Sequence, residues 1–248
     1  MILLPRRRAL FTGGEAGPDS WADWDELTEA GLASDDTFVC FFKSATGNET
    51  GQGGGLTGVN LVLTEFGDPA AAAGTPPSRL LDGTGDYFTV NSTLAGLITQ
   101  STAWTIIIKV EDAAINLQTA FIQWTGTDEQ ILLSGDNNAP MTVTWLRTQQ
   151  DTNYETGTED IWSNSGFNYV CIWADGTDLR AGYATSKPTK WSDFAATKRH
   201  LFTVNTGDYT GETFTVNRFF SWNGANELAC KAYFVVVSKK GDLIDNAS

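Results

Sequence analysis

Histidine, cysteine and charged residues are all scarce in this sequence, and each scarcity restricts the chemistry open to the chain. His200 is the only histidine among 248 residues, and the three cysteines form neither a CxxC pair nor a spacing typical of a zinc site. A Ser–His or Cys–His mechanism would have to use His200, which precedes a predicted strand, and no nucleophile elbow is present. The sequence therefore predicts no catalytic residue and no zinc site.

Long apolar runs are also missing. No stretch approaches the roughly 20 apolar residues that span a membrane. The opening residues 1–8 carry their positive charge after a short apolar run, which differs from a secretory signal peptide. We therefore expect a soluble protein with no membrane partner, made without Sec-type export. Each cysteine lies inside a short apolar run, which predicts buried free thiols at Cys40, Cys171 and Cys230.

Positive charge is scarce as well, and it is unevenly placed. The chain has 16 basic and 30 acidic residues, for a formal charge of −14. Arg6, Arg7 and Arg8 precede every acidic residue, so residues 9–248 carry a formal charge of −17. Such an acidic body should repel nucleic acid over most of its surface, whereas the basic tip suits an acidic partner.

Residues 1–34 form a separate unit in the sequence, an extended arm followed by one short helix. Proline and glycine interrupt residues 1–18, and Ser20 is placed to cap a helix over residues 21–30. An aromatic stripe runs along this helix, and it either contacts another protein or packs on the domain formed by residues 35–248. The residues predicted to anchor the protein to a partner are Pro5, Arg6, Arg7, Arg8, Trp21 and Trp24.

β-strand patterns are abundant in the rest of the chain. Its 25 glycines and 12% aromatic residues suit many short strands joined by turns. The clearest strand is 104–110, and residues 175–178 give a hairpin signal between strands 169–174 and 179–183. Other strands are predicted at 37–42, 58–63, 87–90, 120–124, 130–133, 141–146, 200–204, 214–220 and 229–237. Residues 47–58, 70–77 and 148–166 are predicted to be loops or connectors, and residues 92–98 a single helical turn.

The most distinctive stretch is residues 80–90, in which two leucines run into a tight polar turn and an aromatic, β-branched strand leaves it. The Asp82-Gly83 and Gly85-Asp86 pairs tolerate positive φ, and residues 87–90 suit a half-buried pleated surface. These features predict a strand–turn–strand corner. The stretch also resembles the corner near the start of laminin-G-like, concanavalin A-like sandwich domains.

Further segments follow in the order that this family uses. Residues 104–110 resemble its "fTieawvk" strand, residues 168–176 resemble its "hhvaityDG" strand and turn, and residues 219–237 resemble its closing segments. The leading Trp and the His of the second motif are absent here. Over about residues 35–245 the resemblance implies an all-β, two-sheet antiparallel jelly-roll sandwich, with ligands at loops or on a sheet face. It implies no single function, because the fold hosts many.

Sugar binding is the ligand chemistry that the residues favour most. Tyr154, Trp162 and Trp191 lie in polar, loop-like surroundings and are the predicted carbohydrate-binding residues, although exposed aromatic residues also make protein contacts. Calcium stays open, because some relatives bind it through loop oxygens, but turn formation accounts more simply for the turn carboxylates. Those carboxylates are Asp82, Asp86, Asp175 and Asp178. The E-x-D-x-x-E string of glucanases is absent, which disfavours a glycoside hydrolase.

These features lead to one expected function and one alternative. We expect a non-enzymatic virion protein, assembled in the host cytoplasm: a phage capsid decoration, head-fibre or tail-associated protein. The opening residues 1–8 resemble the starts of phage structural proteins, and the arm would bind a capsid or tail protein. The alternative is a carbohydrate-binding module or adhesin. A homo-oligomer is compatible with either function.

Overall fold

A computed structural model describes the chain in fourteen ranges. They are residues 37–53, 62–72, 78–90, 98–99, 103–114, 120–125, 129–135, 143–148, 169–175, 179–196, 199–202, 213–221, 227–239 and 243–244. The predicted arm and helix of residues 1–34 lie outside these ranges. So do all but the last residue of the predicted helical turn at 92–98 and all but the first residue of the predicted loop at 148–166.

The described residues form seventeen strands. They are β1 (Thr37–Phe41), β2 (Glu49–Thr50), β3 (Gln52–Gly53), β4 (Val62–Phe66), β5 (Ala70–Ala72), β6 (Ser78–Leu81), β7 (Tyr87–Val90), β8 (Ile98–Thr99), β9 (Ala103–Ala114), β10 (Ala120–Thr125), β11 (Glu129–Gly135), β12 (Val143–Thr148), β13 (Tyr169–Asp175), β14 (Leu179–Ala184), β15 (Arg199–Phe202), β16 (Thr213–Phe219) and β17 (Ala229–Ser238). Within the same ranges, one 3-10 helix covers Trp191–Asp193.

The strands assemble into two antiparallel sheets. In the nine-stranded sheet the order is β15-β14-β13-β9-β17-β1-β3, with β6 also on β17 and β5 on β6. In the eight-stranded sheet the order is β12-β11-β10-β16-β7-β4-β2, with β8 also on β16. The predicted all-β class with two antiparallel sheets is therefore confirmed. The predicted hairpin is confirmed too, because Ala174 pairs with Leu179 across β13 and β14.

The central strands β9 and β17 are buried on both faces. Residues 104–110 and 232–238 are all buried; β-branched residues dominate the first run, and three consecutive valines form the middle of the second. β-branched side chains pack well on a pleated surface that is covered on each side, which explains why these runs do not alternate with polar residues. Residues 104–110 were the clearest strand signal for the same reason.

The two sheets face each other across an aromatic core. Phe42, which follows β1 of the nine-stranded sheet, has its ring centroid 4.9 Å from that of Phe88 in β7 of the eight-stranded sheet. The ring of Phe220, which follows β16, lies 5.5 Å from the Phe42 ring. Since side chains alternate along a strand, Phe38 and Cys40 share the inner face with Phe42, and both are buried.

The outer face of the nine-stranded sheet carries a second apolar core. Val39 and Phe41 in β1 point to it, and so do Trp173 in β13 and Val236 in β17. The described residues that cover this face come from the segment after β14, which supplies Trp191 and Phe194, and from residues 243–244. The chain thus buries both faces of this sheet.

Four short strands were not predicted. β2 and β3 lie in the glycine-rich stretch assigned to a surface loop, and β5 lies in the Ala/Pro-rich stretch assigned to a connector. β8 begins at Ile98, the last residue of the predicted helical turn. Gly51, between β2 and β3, packs so tightly on the Phe38 ring that a Cβ at this position would lie 1.9 Å from it. The loop prediction for residues 49–53 and the connector prediction for residues 70–72 were therefore wrong, because tertiary pairing outweighs weak local propensity here.

A buried arginine ties the two sheets together. Arg79 in β6 is fully buried, and it forms ion pairs with Glu49 in β2, at 3.2 Å, and with Glu65 in β4. Its guanidinium also donates to the carbonyl oxygens of Ser44, Gly47 and Pro69, at 2.6–3.3 Å. Every N–H of the guanidinium group is thus used, as a buried charge requires.

The corner and the first described residue lie at opposite ends of the sandwich. Thr37 pairs with Ser238, and their hydroxyl oxygens are 2.6 Å apart. The corner instead approaches Ala229, at the other end of β17. Residues 37 and 238 therefore lie together at the end of the sandwich far from the corner.

Candidate functional site

The corner at residues 80–90 is organised by one buried carboxylate. Asp86 accepts hydrogen bonds from the backbone N–H of Asp68 at 2.9 Å and from that of Asp82 at 3.0 Å. Asp82 in turn accepts from the N–H of Thr84 at 2.6 Å. Asp86 therefore joins the turn after β4 to the turn after β6, a turn-forming role that two of the four candidate calcium carboxylates share.

Glycine is required at the corner because the backbone is left-handed and crowded. Gly67 has φ +78°, and a Cβ there would lie 2.3 Å from a carboxylate oxygen of Asp86. Gly83 has φ +79°, and a Cβ there would lie 3.0 Å from the Cβ of Ala229. Only glycine enters such conformations without steric cost.

Trp191, the one predicted sugar-binding residue within the described ranges, lies over the outer face of the nine-stranded sheet. Its ring is half-buried and meets the Trp173 ring edge-to-face at 5.5 Å. The Arg199 guanidinium carbon lies 4.8 Å from the Trp191 ring centroid, and Nη1 donates to the Trp191 carbonyl oxygen at 2.9 Å. Trp191 is thus more exposed than Trp173 and Trp104, as predicted, but neighbours cover part of its surface.

A capped turn holds Trp191 in place. The Asp193 carboxylate accepts from the N–H and hydroxyl of Thr189 and from the N–H of Lys190, at 2.8–3.0 Å. Partial burial acts to raise the pKa of Asp193, but these hydrogen bonds and the Lys190 charge outweigh it and lower the pKa. Phe194 then packs against Gly182, where a Cβ would lie 2.5 Å from the ring. Neither contact was predicted from the sequence.

A cluster of lysines, tyrosines and one glutamate lies farther along the same face. The buried Lys109 ammonium is 4.7 Å from the Tyr169 ring centroid and 5.6 Å from that of Tyr233. The Tyr233 hydroxyl donates to Glu111 at 2.5 Å, and Lys231 lies 3.6 Å from the same carboxylate oxygen. Cation–π and charge-assisted contacts thus link all five side chains.

The environment of this cluster moves two pKa values away from neutrality. Burial, followed by the hydrogen bond to Glu111, raises the pKa of Tyr233. Contact with Tyr233, assisted by Glu111, raises the pKa of Lys231. Tyr233 therefore keeps its proton and Lys231 keeps its charge at neutral pH. A general base works best with a pKa near the operating pH, so these shifts suit polar binding rather than proton abstraction.

The other predicted site residues lie outside the described ranges. These are Tyr154 and Trp162 of the sugar-binding set, Asp178 of the calcium set, and the anchoring residues Pro5, Arg6, Arg7, Arg8, Trp21 and Trp24. Asp175 is the last residue of β13. The roles predicted for all of these residues stay predictions.

The described residues also bear on the thiols, on metal ligands and on membrane insertion. Cys40, Cys171 and Cys230 are buried free thiols, which confirms the prediction. Across the fourteen described ranges, no three His, Cys, Asp or Glu side chains are grouped so as to hold a metal ion. None of the helices in those ranges has the length and apolar character to cross a bilayer.

Comparison with known proteins adds no relative. No model of a known protein family matches the chain, and no curated protein matches it.

Proposed function

We propose that this chain is a non-enzymatic virion structural protein: a phage capsid decoration, head-fibre or tail-associated protein. Its N-terminal arm binds a capsid or tail protein, and residues 35–248 form a concanavalin A-like jelly-roll that is displayed on the particle. The arm supplies the basic tip, and the rest of the chain carries a formal charge of −17. A chain with a basic tip and an acidic remainder suits docking through the basic tip only.

The observation that carries the proposal is the end of the sandwich at which residue 37 lies. Residue 37 enters the sandwich beside Ser238, whereas the corner lies beside Ala229 at the other end of β17. An arm that binds a particle through residues 1–34 would hold the sandwich by the first end and present the corner outward. A decoration or fibre protein needs this separation between its anchor and its displayed surface.

Deletion of residues 1–34 tests the anchor. The deletion should abolish incorporation into particles while the sandwich keeps its β-rich circular dichroism spectrum and cooperative melting. A second variant, in which Arg6, Arg7 and Arg8 are replaced by glutamine, should reduce incorporation and change nothing else. Full incorporation of the deleted chain would refute the proposal.

Carbohydrate binding is the second candidate function, and the partial exposure of Trp191 favours it. An aromatic ring flanked by an arginine suits a sugar, because the ring contacts apolar C–H groups and the guanidinium donates to hydroxyls. A glycan array on the purified chain tests this function, with Trp162→Ala and Trp191→Ala as matched variants. Signals that both variants retain in full would exclude these residues from sugar binding.

A further inference from the structure

Two large apolar side chains are exposed in the described part of the chain, and both flank the corner. Phe66 at the end of β4 exposes 42% of its surface, and Leu80 in β6 exposes 49%. The residues before them, Glu65 and Arg79, form an ion pair between the two sheets. Alternation therefore directs Phe66 to the outer face of the eight-stranded sheet and Leu80 to the outer face of the nine-stranded sheet, so Leu80 is no part of the surface around Phe66.

Phe66 belongs to a stack that already contains a cation. Its ring lies parallel to that of Tyr87, with centroids 4.8 Å apart and planes 5° apart. The Arg218 guanidinium carbon lies 5.8 Å from the centroid of the Tyr87 ring. β7 runs between β4 and β16, so Tyr87 stands between Phe66 and Arg218. The exposed surface of Phe66 is therefore its edge and the face turned away from Tyr87.

Two exposed carboxylates accompany this ring. Asp68 and Asp82 are exposed at the corner, and both of their backbone N–H groups donate to Asp86, the residue before Tyr87. The corner thus holds both acids within a few residues of the aromatic stack, on a frame built from tight turns. The face of an aromatic ring attracts a cation, and a nearby carboxylate pairs with it. Together they form a set of acceptors that can recognise arginine or lysine, whose side chains are the donors.

We propose that Phe66, Asp68 and Asp82 form a docking surface for a basic segment of a partner protein. An arginine or lysine of that segment stacks on the exposed face of Phe66 and pairs with Asp68 or Asp82. Charge complementarity supports this occupant, since residues 9–248 carry a formal charge of −17, which attracts a basic segment and repels an anionic one. This inference is independent of the anchoring role of the arm, because it concerns the opposite end of the sandwich.

Binding of a defined peptide tests the surface. The probe is a fluorescent nine-residue peptide with three arginines among glycine and serine, and the matched control peptide has glutamine for each arginine. Fluorescence anisotropy at low and at physiological salt should show binding of the arginine peptide only. Phe66→Leu keeps an apolar side chain but removes the ring, and it should weaken binding about two- to fivefold. Phe66→Trp should retain full affinity.

Charge variants distinguish a contact at this surface from attraction by the overall negative charge of the protein. Asp68→Asn and Asp82→Asn should each weaken binding by roughly two- to fivefold. Asp193→Asn makes the same change in net charge beside β14, several strands away from the corner, and it should leave affinity within about twofold.

Several results would overturn the inference. These are no binding of the arginine peptide at millimolar concentration, equal affinity for wild type and Phe66→Leu, and equal losses for Asp68→Asn and Asp193→Asn. A neutral glycan that binds in place of the peptide and is lost with Phe66→Leu would show a sugar platform, which also contradicts the basic partner. Phe66→Leu also removes the stack on Tyr87, so binding is compared at a temperature at which circular dichroism shows every variant to be fully folded. None of these results bears on the deletion of residues 1–34.

Discussion

Arg79 illustrates how a single side chain connects the two sheets. Its charge is fully buried, and it is balanced by Glu49 and Glu65 from the facing sheet. Removing one partner of such a network leaves the others charged and buried without compensation. The network therefore contributes less to net stability than to holding β6 against β2 and β4 of the facing sheet.

Substitution of Arg79 tests this role. Arg79→Met should lower the free energy of unfolding by about 3–5 kcal/mol, because two carboxylates lose their counter-charge. Arg79→Lys should recover only part of the loss, since one ammonium group cannot replace a planar group with five donors. Urea titrations measure both values. Adding Glu49→Gln and Glu65→Gln to Arg79→Met should restore stability, and an undiminished loss in the triple variant would contradict the account.

The buried thiols give a second prediction at this scale. Burial raises the pKa of Cys171 and Cys230, and burial followed by Glu49 raises that of Cys40. The thiolate is the reactive form, so all three side chains should resist a thiol reagent in the folded protein. We expect titration with such a reagent to find none of the three thiols within minutes in buffer, and all three in denaturant. Rapid reaction of any thiol in the folded state would contradict its burial.

At the scale of elements, sequence patterns identified the long strands and missed the short ones. β9, β13 and β17 are apolar runs that are long enough to be recognised without any knowledge of their partners. β2, β3 and β5 have two or three residues each and lie among glycine, alanine and proline. The strand conformation of β2 and β3 depends on pairing with segments farther along the chain, as when Phe38 pairs with Gly53 and Glu49 with Leu63, and local sequence does not encode that pairing. β5 pairs with the nearby β6, but its three alanines give no strand signal of their own.

At the candidate sites too, features set by local sequence were predicted and features set by strand pairing were not. The relative exposure of Trp191 followed from its polar neighbours in the sequence. Phe66 was predicted to follow a strand over residues 58–63, whereas it is the last residue of β4. Its exposure and its stack with Tyr87 depend on strand register, and so does the closeness of Asp68 to the corner. These contacts could be found only once the sheets were assembled.

The turn at residues 190–194 provides a pH-dependent test at the element scale. The pKa of Asp193 is lower in the folded protein than its ordinary value, so its stabilising effect is complete above about pH 4 and is lost as the pH falls through the folded-state value. Asp193→Ala should cost about 1 kcal/mol or less at pH 7, because the carboxylate is solvent-exposed. Thermal melts of both proteins between about pH 2.5 and 7 should converge at the acid end. A difference that persists unchanged at low pH would contradict the capping role.

At the scale of the whole molecule, the proposed function depends on which structures lie at which end of the sandwich. The two sheets are joined by the Phe42–Phe88 contact and by Arg79, and β17 extends between the two ends. Thr37 pairs with Ser238 at one end, and the exposed Phe66 and Asp82 lie at the corner. Anchoring and recognition would therefore act on opposite ends of one sandwich.

The distance between the two ends tests this arrangement directly. Cysteines placed at the exposed positions Thr84 and Lys239 carry nitroxide labels, and the three native thiols stay unlabelled because they are buried. Ten residues of extended chain separate Ala229, beside the corner, from Lys239, which predicts a distance of about 33 Å by double electron–electron resonance. A distribution centred near that value supports the arrangement, and one centred below about 20 Å would contradict it, because a continuous β17 cannot bring its two ends so close.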